Sequence, residues 1–374
     1  MEPNFVKELI RRYVAGRCTA RERAIVESYY LHLHAMGGQS GEIDYTAVGK
    51  QLWNTINKEK RSSYPMRIAA IMLLLLFTGS FAYYYLVQMP LVREDTGGRM
   101  QDIAPAEGRA TLTFASGEDI DLATMVIGGT VTAEGVQITK EENGKIRYTV
   151  KDTRNRPNTH IYHTLTTPKG GQYQVVLQDS SHVFVNAGST LRFSARFSDK
   201  ERRVVLSGEA YFDVKAQPEK PFMVEVGGQQ LQVLGTAFNV FGYLGEKQVT
   251  TLVNGKLQLK EYGQHWTLLH PGDQAVLSKH QYVVKKADLN EVTAWKEGIF
   301  MFNQVELKTI LRELERWYDV KMEYQHLPKL EFYGELSREL KLSKILHWLE
   351  LASGNKVHFT INKERRSVVV TNKQ

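Results

Sequence analysis

Three kinds of hydrophobic pattern follow one another along this 374-residue chain. Helical spacing comes first. Phe5, Val6, Leu9, Ile10, Tyr13 and Val14 form one wide apolar stripe, with Lys7, Glu8, Arg11 and Arg12 on the opposite face. Gly16 predicts the stop of this helix. Thr19 followed by Glu22 predicts a capping box that opens a second helix, whose stripe is Ile25, Val26, Tyr29, Tyr30 and Leu33. A third helix is expected near 45–56, with Val48, Leu52, Trp53 and Ile56 apolar. An uninterrupted apolar run, IAAIMLLLLFTGSFAYYYLV, then occupies 68–87, with no charge between Arg67 and Arg93. Roughly 20 such residues at about 1.5 Å rise cross the hydrocarbon core of a bilayer. From about 101 to 295 the spacing alternates with period two, in short runs such as YQVVL, HVFVN, TLRFS, RVVLS, AYFDV and FMVEV. Gly, Asp and Asn turn signals separate the runs, as in a β-sandwich, barrel or solenoid. From 299 the pattern mixes. FMF, VKMEY, EFYGEL, KVHFTI and SVVVT read as strands. Helices are expected over 305–318 (Leu307, Ile310, Leu311, Leu314, Trp317) and at 340–351 (Leu340, Leu342, Ile345, Leu346, Leu349, Leu351).

Charge gives this layout a direction. Lys58, Lys60, Arg61 and Arg67 crowd the N-terminal flank of the apolar run, whereas its other flank is mixed. The positive-inside rule therefore predicts residues 1–67 in the cytoplasm and 88–374 across the membrane. A long polar segment precedes the run, unlike a cleavable signal peptide. The expected fold class is multi-domain. It comprises an all-α cytoplasmic segment at 1–64, a transmembrane helix at 68–87 and a juxtamembrane linker at 88–110. An all-β, sandwich or solenoid-like domain at 111–298 and an α/β module of two β-α-β units at 299–374 complete it. The net charge of +7 is spread in mixed runs rather than one basic block, which argues against direct nucleic-acid binding. The single cysteine, Cys18, precedes the apolar run, so the outer part must rest on an apolar core rather than on disulfides.

Chemical motifs are scarce. The chain has no Gly-rich phosphate loop, no G-x-S-x-G elbow and no H-E-x-x-H, so no catalytic residues, metal or cofactor are expected. His160 and His163 read as structural or solvated histidines without a third ligand nearby. One dipeptide has a second reading. Gly235-Thr236 falls between two strands, where a Thr hydroxyl beside a distorted peptide can attack the preceding carbonyl; an ordinary Gly turn is the alternative. The three N-terminal helices make a domain too small to hide its stripes well. They form a self-contained mini-domain or a clamp that completes its core on a cytoplasmic partner; a DNA-binding helix-turn-helix, the third reading, lacks a clear basic recognition helix.

The stretch TPKGGQYQVVLQDSSHVFVNAGSTLRF, then RRVVLSGEAYFDV, KPFMVEV and VLGTAFNV, closely resembles the periplasmic core of FecR-type transmembrane anti-sigma regulators. WKEGIFMFNQVELKTILRELERWYDV looks like the junction into their C-terminal STN-like (secretin and TonB short N-terminal) module, and LIRRYVAGRCTARERAIVESYY is similar to their cytoplasmic segment. Two positions depart. Asp179-Ser180 stands where the family usually has Asp-Gly, and Tyr29-Tyr30 where it often has Trp. The resemblance implies a single-pass protein of the bacterial inner membrane, with no enzymatic turnover. It would relay a signal from the signalling domain of a TonB-dependent outer-membrane transporter to a cytoplasmic extracytoplasmic-function sigma factor. On that reading Leu9, Tyr13, Val26, Tyr29 and Trp53 are the expected sigma-factor contacts, and Gly235-Thr236 is a candidate self-cleavage step. The rival reading is a membrane-anchored carbohydrate-binding or carbohydrate-cleaving β-protein, which would need converging acids in a pocket.

Overall fold

The computed structural model describes residues 11–13, 15–19, 23, 26, 102–105, 109–151, 161–261 and 263–372. The chain divides into two units, Met1–Arg99 and Met100–Gln374. In the first unit, residues 11–13, 23 and 26 are helical. The stop at Gly16 is a Schellman turn. Gly16 takes φ 68°, Arg17 N donates to Arg12 O at 2.8 Å, and Gly16 N donates to Tyr13 O at 3.1 Å. Arg23 N donates to Thr19 O at 2.9 Å, the first bond of a helix that opens after Thr19. The run at 68–87 lies outside the described residues.

The expected composite fold class is corrected by this structure. The described residues are mostly strand, and no helix among them is long and apolar enough to cross a membrane. The reason is the period-two burial that runs through most of the second unit. Strands such as Tyr162–Thr167 and Leu257–Glu261 bury alternate side chains, His163, Leu165 and Thr167 in the first and Leu257 and Leu259 in the second. Two connected β-layers share one core. Tyr162–Thr167, Ser189–Ser194, Phe222–Val226, Gln229–Val233 and Leu257–Glu261 belong to one layer. Tyr173–Val176, His182–Val185, Ala237–Gly242, Val249–Asn254 and Asp273–Ser278 belong to the other. RVVLS and AYFDV, two runs in the sequence, are one strand, Arg202–Asp213, and it serves both layers. Its first half lies parallel to Phe222–Val226; its second half lies antiparallel to Ala237–Gly242. The strand changes layer at Gly208, φ 101°, where a Cβ would stand 2.3 Å from Ser189 Oγ. Leu112, Leu165, Leu191, Val204, Phe212 and Phe238 are fully buried in the common core, and the Phe212 and Phe238 rings stack at 5.0 Å.

Helix α1 (Leu289–Ala294), capped by Asp288, and the 3-10 turn Trp295–Glu297 lead into the C-terminal module. There α2 (Leu307–Tyr318) buries Leu307, Ile310, Leu311, Leu314 and Tyr318, and α3 (Leu342–Ala352) buries Leu342, Ile345, Leu346 and Leu349. These are the i, i+3, i+4, i+7 positions of helices that cover a sheet on one side. The tandem β-α-β units are corrected in their pairing. Ile299–Glu306 pairs antiparallel with Glu331–Ser337, whereas Lys321–Glu323 joins Ser367–Asn372 and Val357–Asn362 in a separate sheet. Neither helix therefore links two strands of one sheet. The order of elements was legible, but pairing is decided by which faces meet across the module. The element α2 begins at Leu307 rather than Val305, because a bulge at Asn303/Val305, with Gln304 at φ 57°, carries the strand on to Glu306. Residues 102–105, placed in a linker by the sequence, contribute Ile103 to the core of this module.

Candidate functional site

The β-layers and the C-terminal module meet in a buried polar seam. Glu209 lies on the layer-switching strand in phase with Tyr211 and Asp213, on the face opposite to the core-facing Ala210 and Phe212, and is buried there. Its Oε1 accepts from Asn239 Nδ2 at 2.9 Å and its Oε2 from Asn186 Nδ2 at 2.8 Å. Burial pushes the Glu209 carboxyl above the ordinary glutamate range, and the two amide donors oppose that shift. Each asparagine then turns its other end towards the module. Asn239 Oδ1 accepts from Trp295 Nε1 at 3.2 Å, and Asn186 Oδ1 accepts from Arg338 Nη1 at 3.2 Å.

Arg338 is 2% exposed. Its Nη2 donates to Glu313 at 2.5 Å, and its guanidinium lies over the rings of Phe300 and Trp317, 4.7 and 4.8 Å from their centroids. Its Nε has no partner among the described residues, and a cavity of about 10 Å³ lined by Asn186, Tyr243, Glu313 and Arg316 adjoins it. Arg316 makes a second crossing. Its Nη1 meets Glu246 at 2.6 Å, its guanidinium covers the Tyr243 ring at 4.2 Å, and its carbonyl accepts from Gly170 N at 2.6 Å. Tyr243 donates to Ala187 O at 2.7 Å, and its phenol is held far above its usual range by burial. Charged and amide groups this deeply buried are costly unless paired, and both amide side chains, the Glu209 carboxylate and both Arg338 Nη atoms find partners here.

The second site is the turn at Gly235-Thr236. Thr236 is buried, and its hydroxyl donates to Lys256 O at 2.9 Å. Its amide and carbonyl pair with Val214 at 3.3 and 3.0 Å. Gly235 is glycine because of close approach rather than a left-handed φ: a Cβ there would lie 2.5 Å from Ala216 Cα. Gly255, at φ 93°, packs its α-carbon against the Gly235 carbonyl and the Thr236 hydroxyl. The preceding Leu234 carbonyl accepts from Arg202 Nη2 at 3.3 Å. Arg202, wholly buried, also binds Asp179 at 2.8 Å, Lys215 O at 2.7 Å and Lys220 O at 2.9 Å. The structure thus puts a buried, oriented hydroxyl next to the Gly235 peptide, in a turn clamped from both sides.

Of the remaining residues singled out by sequence, Tyr13 and Val26 are half-buried, and Leu9, Tyr29 and Trp53 lie outside the described residues. His163 is buried as a structural histidine, its Nε2 on Glu134 at 2.7 Å and its Nδ1 on the Tyr148 hydroxyl at 3.2 Å. Among the described residues no group of His, Cys, Asp or Glu is arranged to hold a metal ion. Sequence reasoning missed Arg202, Glu209 and Arg338. The available signal held for Arg202 alone, a charge in phase with Val204 and Leu206 in RRVVLSGEAYFDV; Glu209 is out of phase with Ala210 and Phe212, and Arg338 follows the end of a strand.

Comparison with known proteins agrees with the two-module layout. Residues 163–258 match the model described as FecR protein, and residues 299–369 match the one described as FecR, C-terminal. No curated protein matches the chain. A crystal structure of a proposed anti-sigma factor from Parabacteroides distasonis ATCC 8503, at 1.65 Å resolution, is similar with TM-score 0.52 and 25% identity, over 56% of this chain and 99% of that one. A second crystal structure under the same description, at 2.50 Å, gives the same score and identity over 57% of this chain and 100% of that one. The seam at Arg338 joins the two matched stretches, so residues 163–369 carry the FecR and FecR C-terminal domains of the FecR family of anti-sigma factors.

Proposed function

We propose that the chain is a single-pass regulator of the bacterial inner membrane that passes a signal from an outer-membrane TonB-dependent transporter to an extracytoplasmic-function sigma factor. One observation carries the reading. The two stretches that match the family are welded by a buried polar seam, and both lie beyond an apolar run whose cationic flank faces residues 1–64. In this reading residues 1–64 hold the sigma factor through Leu9, Tyr13, Val26, Tyr29 and Trp53. The Met100–Gln374 unit receives the transporter's signalling domain. Gly235-Thr236 is the bond at which an acyl shift onto the Thr236 hydroxyl, followed by hydrolysis of the resulting ester, would divide the chain.

The test is a pull-down with residues 1–64 as bait. A sigma factor should be retained, and Leu9→Glu should weaken retention by about tenfold or more, since an anchor side chain at such a surface contributes about 2 kcal/mol. Equal retention by a folded Leu9→Glu segment would make the stripe internal core and sink the clamp. Removing residues 300–374 from the full chain should abolish the response of that sigma factor's promoters to the transporter; a preserved response would remove the module from the relay.

A further inference from the structure

The chain enters the Met100–Gln374 unit by gripping residues that are remote in sequence. Asp102 Oδ1 accepts from Ser343 N at 3.1 Å, and its Oδ2 accepts from Ser343 Oγ at 2.7 Å, across 241 residues. Ile103 O accepts from Leu342 N at 3.0 Å. The Ile103 side chain is 5% exposed and belongs to the apolar core of the C-terminal module.

Leu342 and Ser343 are the first two residues of α3, and Lys341 at the N-cap supplies no side-chain hydrogen bond. The first N–H groups of a helix have no acceptor within it. Here both acceptors come from the segment that leads into the unit. The Asp102 carboxylate also meets the positive end of the helix. The C-terminal module is thus incomplete without residues 102–103, although some 200 residues of β-structure separate the two in sequence.

We propose that Asp102 and Ile103 form a strap that couples the C-terminal module to the chain on its N-terminal side. An intact module holds the strap, and a loosened module releases it. By reciprocity, freeing the strap weakens the first turn of α3. That the signal runs from module to strap rests on the relay reading above; the coupling itself does not.

The experiment uses the full chain with Cys18 replaced by Ser, so that an introduced thiol is the only one. Ile103→Cys is labelled with a maleimide, with Ala104→Cys, exposed in the same segment, as control. Ile103→Cys should label at least about tenfold more slowly than the control, because its reaction waits for local opening. Val368→Ala, a cavity in the fully buried core of the module, should speed that labelling about fivefold or more. Exchange of the Leu342 and Ser343 amides should rise by a similar factor. In the parent chain Asp102→Ala should speed exchange at Ser343 and leave the core amides of the β-layers unchanged. Ser343→Ala, which removes only the hydroxyl contact, gives a milder version if Asp102→Ala unfolds the module. The coupling is overturned if Ile103→Cys labels as fast as the control, or if Val368→Ala speeds exchange in α3 without moving the labelling. A chain that passes these tests yet retains no sigma factor keeps the strap and loses the relay.

Discussion

Ser180 illustrates how a single position can carry backbone strain inside a turn that the neighbouring side chains define. Asp179 accepts from Ser181 N at 3.0 Å and from Ser181 Oγ at 2.7 Å while it pairs with Arg202. Closing the turn this way forces Ser180 to φ 68°, a conformation that L side chains adopt at a cost. Glycine at this place would have no such cost. Ser180→Gly should therefore stabilise the Met100–Gln374 unit by about 1 kcal/mol, read as a higher denaturant midpoint with an unchanged slope. Glu209 carries a pH signature of the opposite origin. Burial raises its folded-state pKa above the ordinary value of 4.5, so between the two values the folded protein holds a proton that the unfolded chain releases. Its contribution is present in full below the ordinary glutamate range and is lost as pH rises through the raised value. Unfolding midpoints across that window should fall with pH in the parent and flatten in Glu209→Gln; an equal slope in both would assign the effect to other groups.

At the scale of elements, the seam joins α2 and Glu331–Ser337, with the Arg338 that follows it, to interior strands of the β-layers, Gly208–Asp213 and Ala237–Gly242. Arg338 closes it from the module side. Its loss would remove one of the two donors to Asn186 Oδ1, leaving Ala187 N, and would leave Glu313, 30% exposed, without its cation. Arg338→Met, similar in length and without charge, should destabilise the Met100–Gln374 unit by about 2–4 kcal/mol. Glu313→Gln should cost less, because solvent already screens that carboxylate. A protease scan should show the loss concentrated at α1 and the turn Trp295–Glu297, the connection that the seam otherwise pins. Uniform loss of resistance across both modules would instead describe a single cooperative fold.

The whole molecule decides what a break at Gly235-Thr236 would do. The strand before it, Gln229–Val233, pairs with Phe222–Val226 and Leu257–Glu261. The strand after it, Ala237–Gly242, pairs with Gly208–Asp213 and Val249–Asn254 in the other layer. Each prospective fragment thus owns strands interleaved with those of the other. Residues 93–374 should run as two bands divided near residue 235 on a denaturing gel, yet elute as one species under native conditions. Thr236→Ala should give one band. A parent protein that always runs at full length would reduce Gly235-Thr236 to a turn held by the Thr236–Lys256 hydrogen bond.

Local signals in the chain were sufficient for the identity of most elements, although α1, Leu289–Ala294, lies in a stretch expected to be all β. Period-two runs became strands at Phe222–Val226 and Leu257–Glu261, the Leu-rich stripes became α2 and α3, and Gly16 ended its helix, because these depend on neighbours within a few residues. The candidate cleavage dipeptide was likewise legible as Gly beside Thr between two strands. Four things needed the tertiary structure: that RVVLS and AYFDV are one strand, that the module's helices do not bridge strands of one sheet, that Glu209 faces Arg338 through Asn186, and that Asp102 caps a helix 241 residues away. Each depends on which buried faces meet. A local pattern states that a face is buried without stating against what, and a charged side chain on such a face finds its partner only when distant segments pack together.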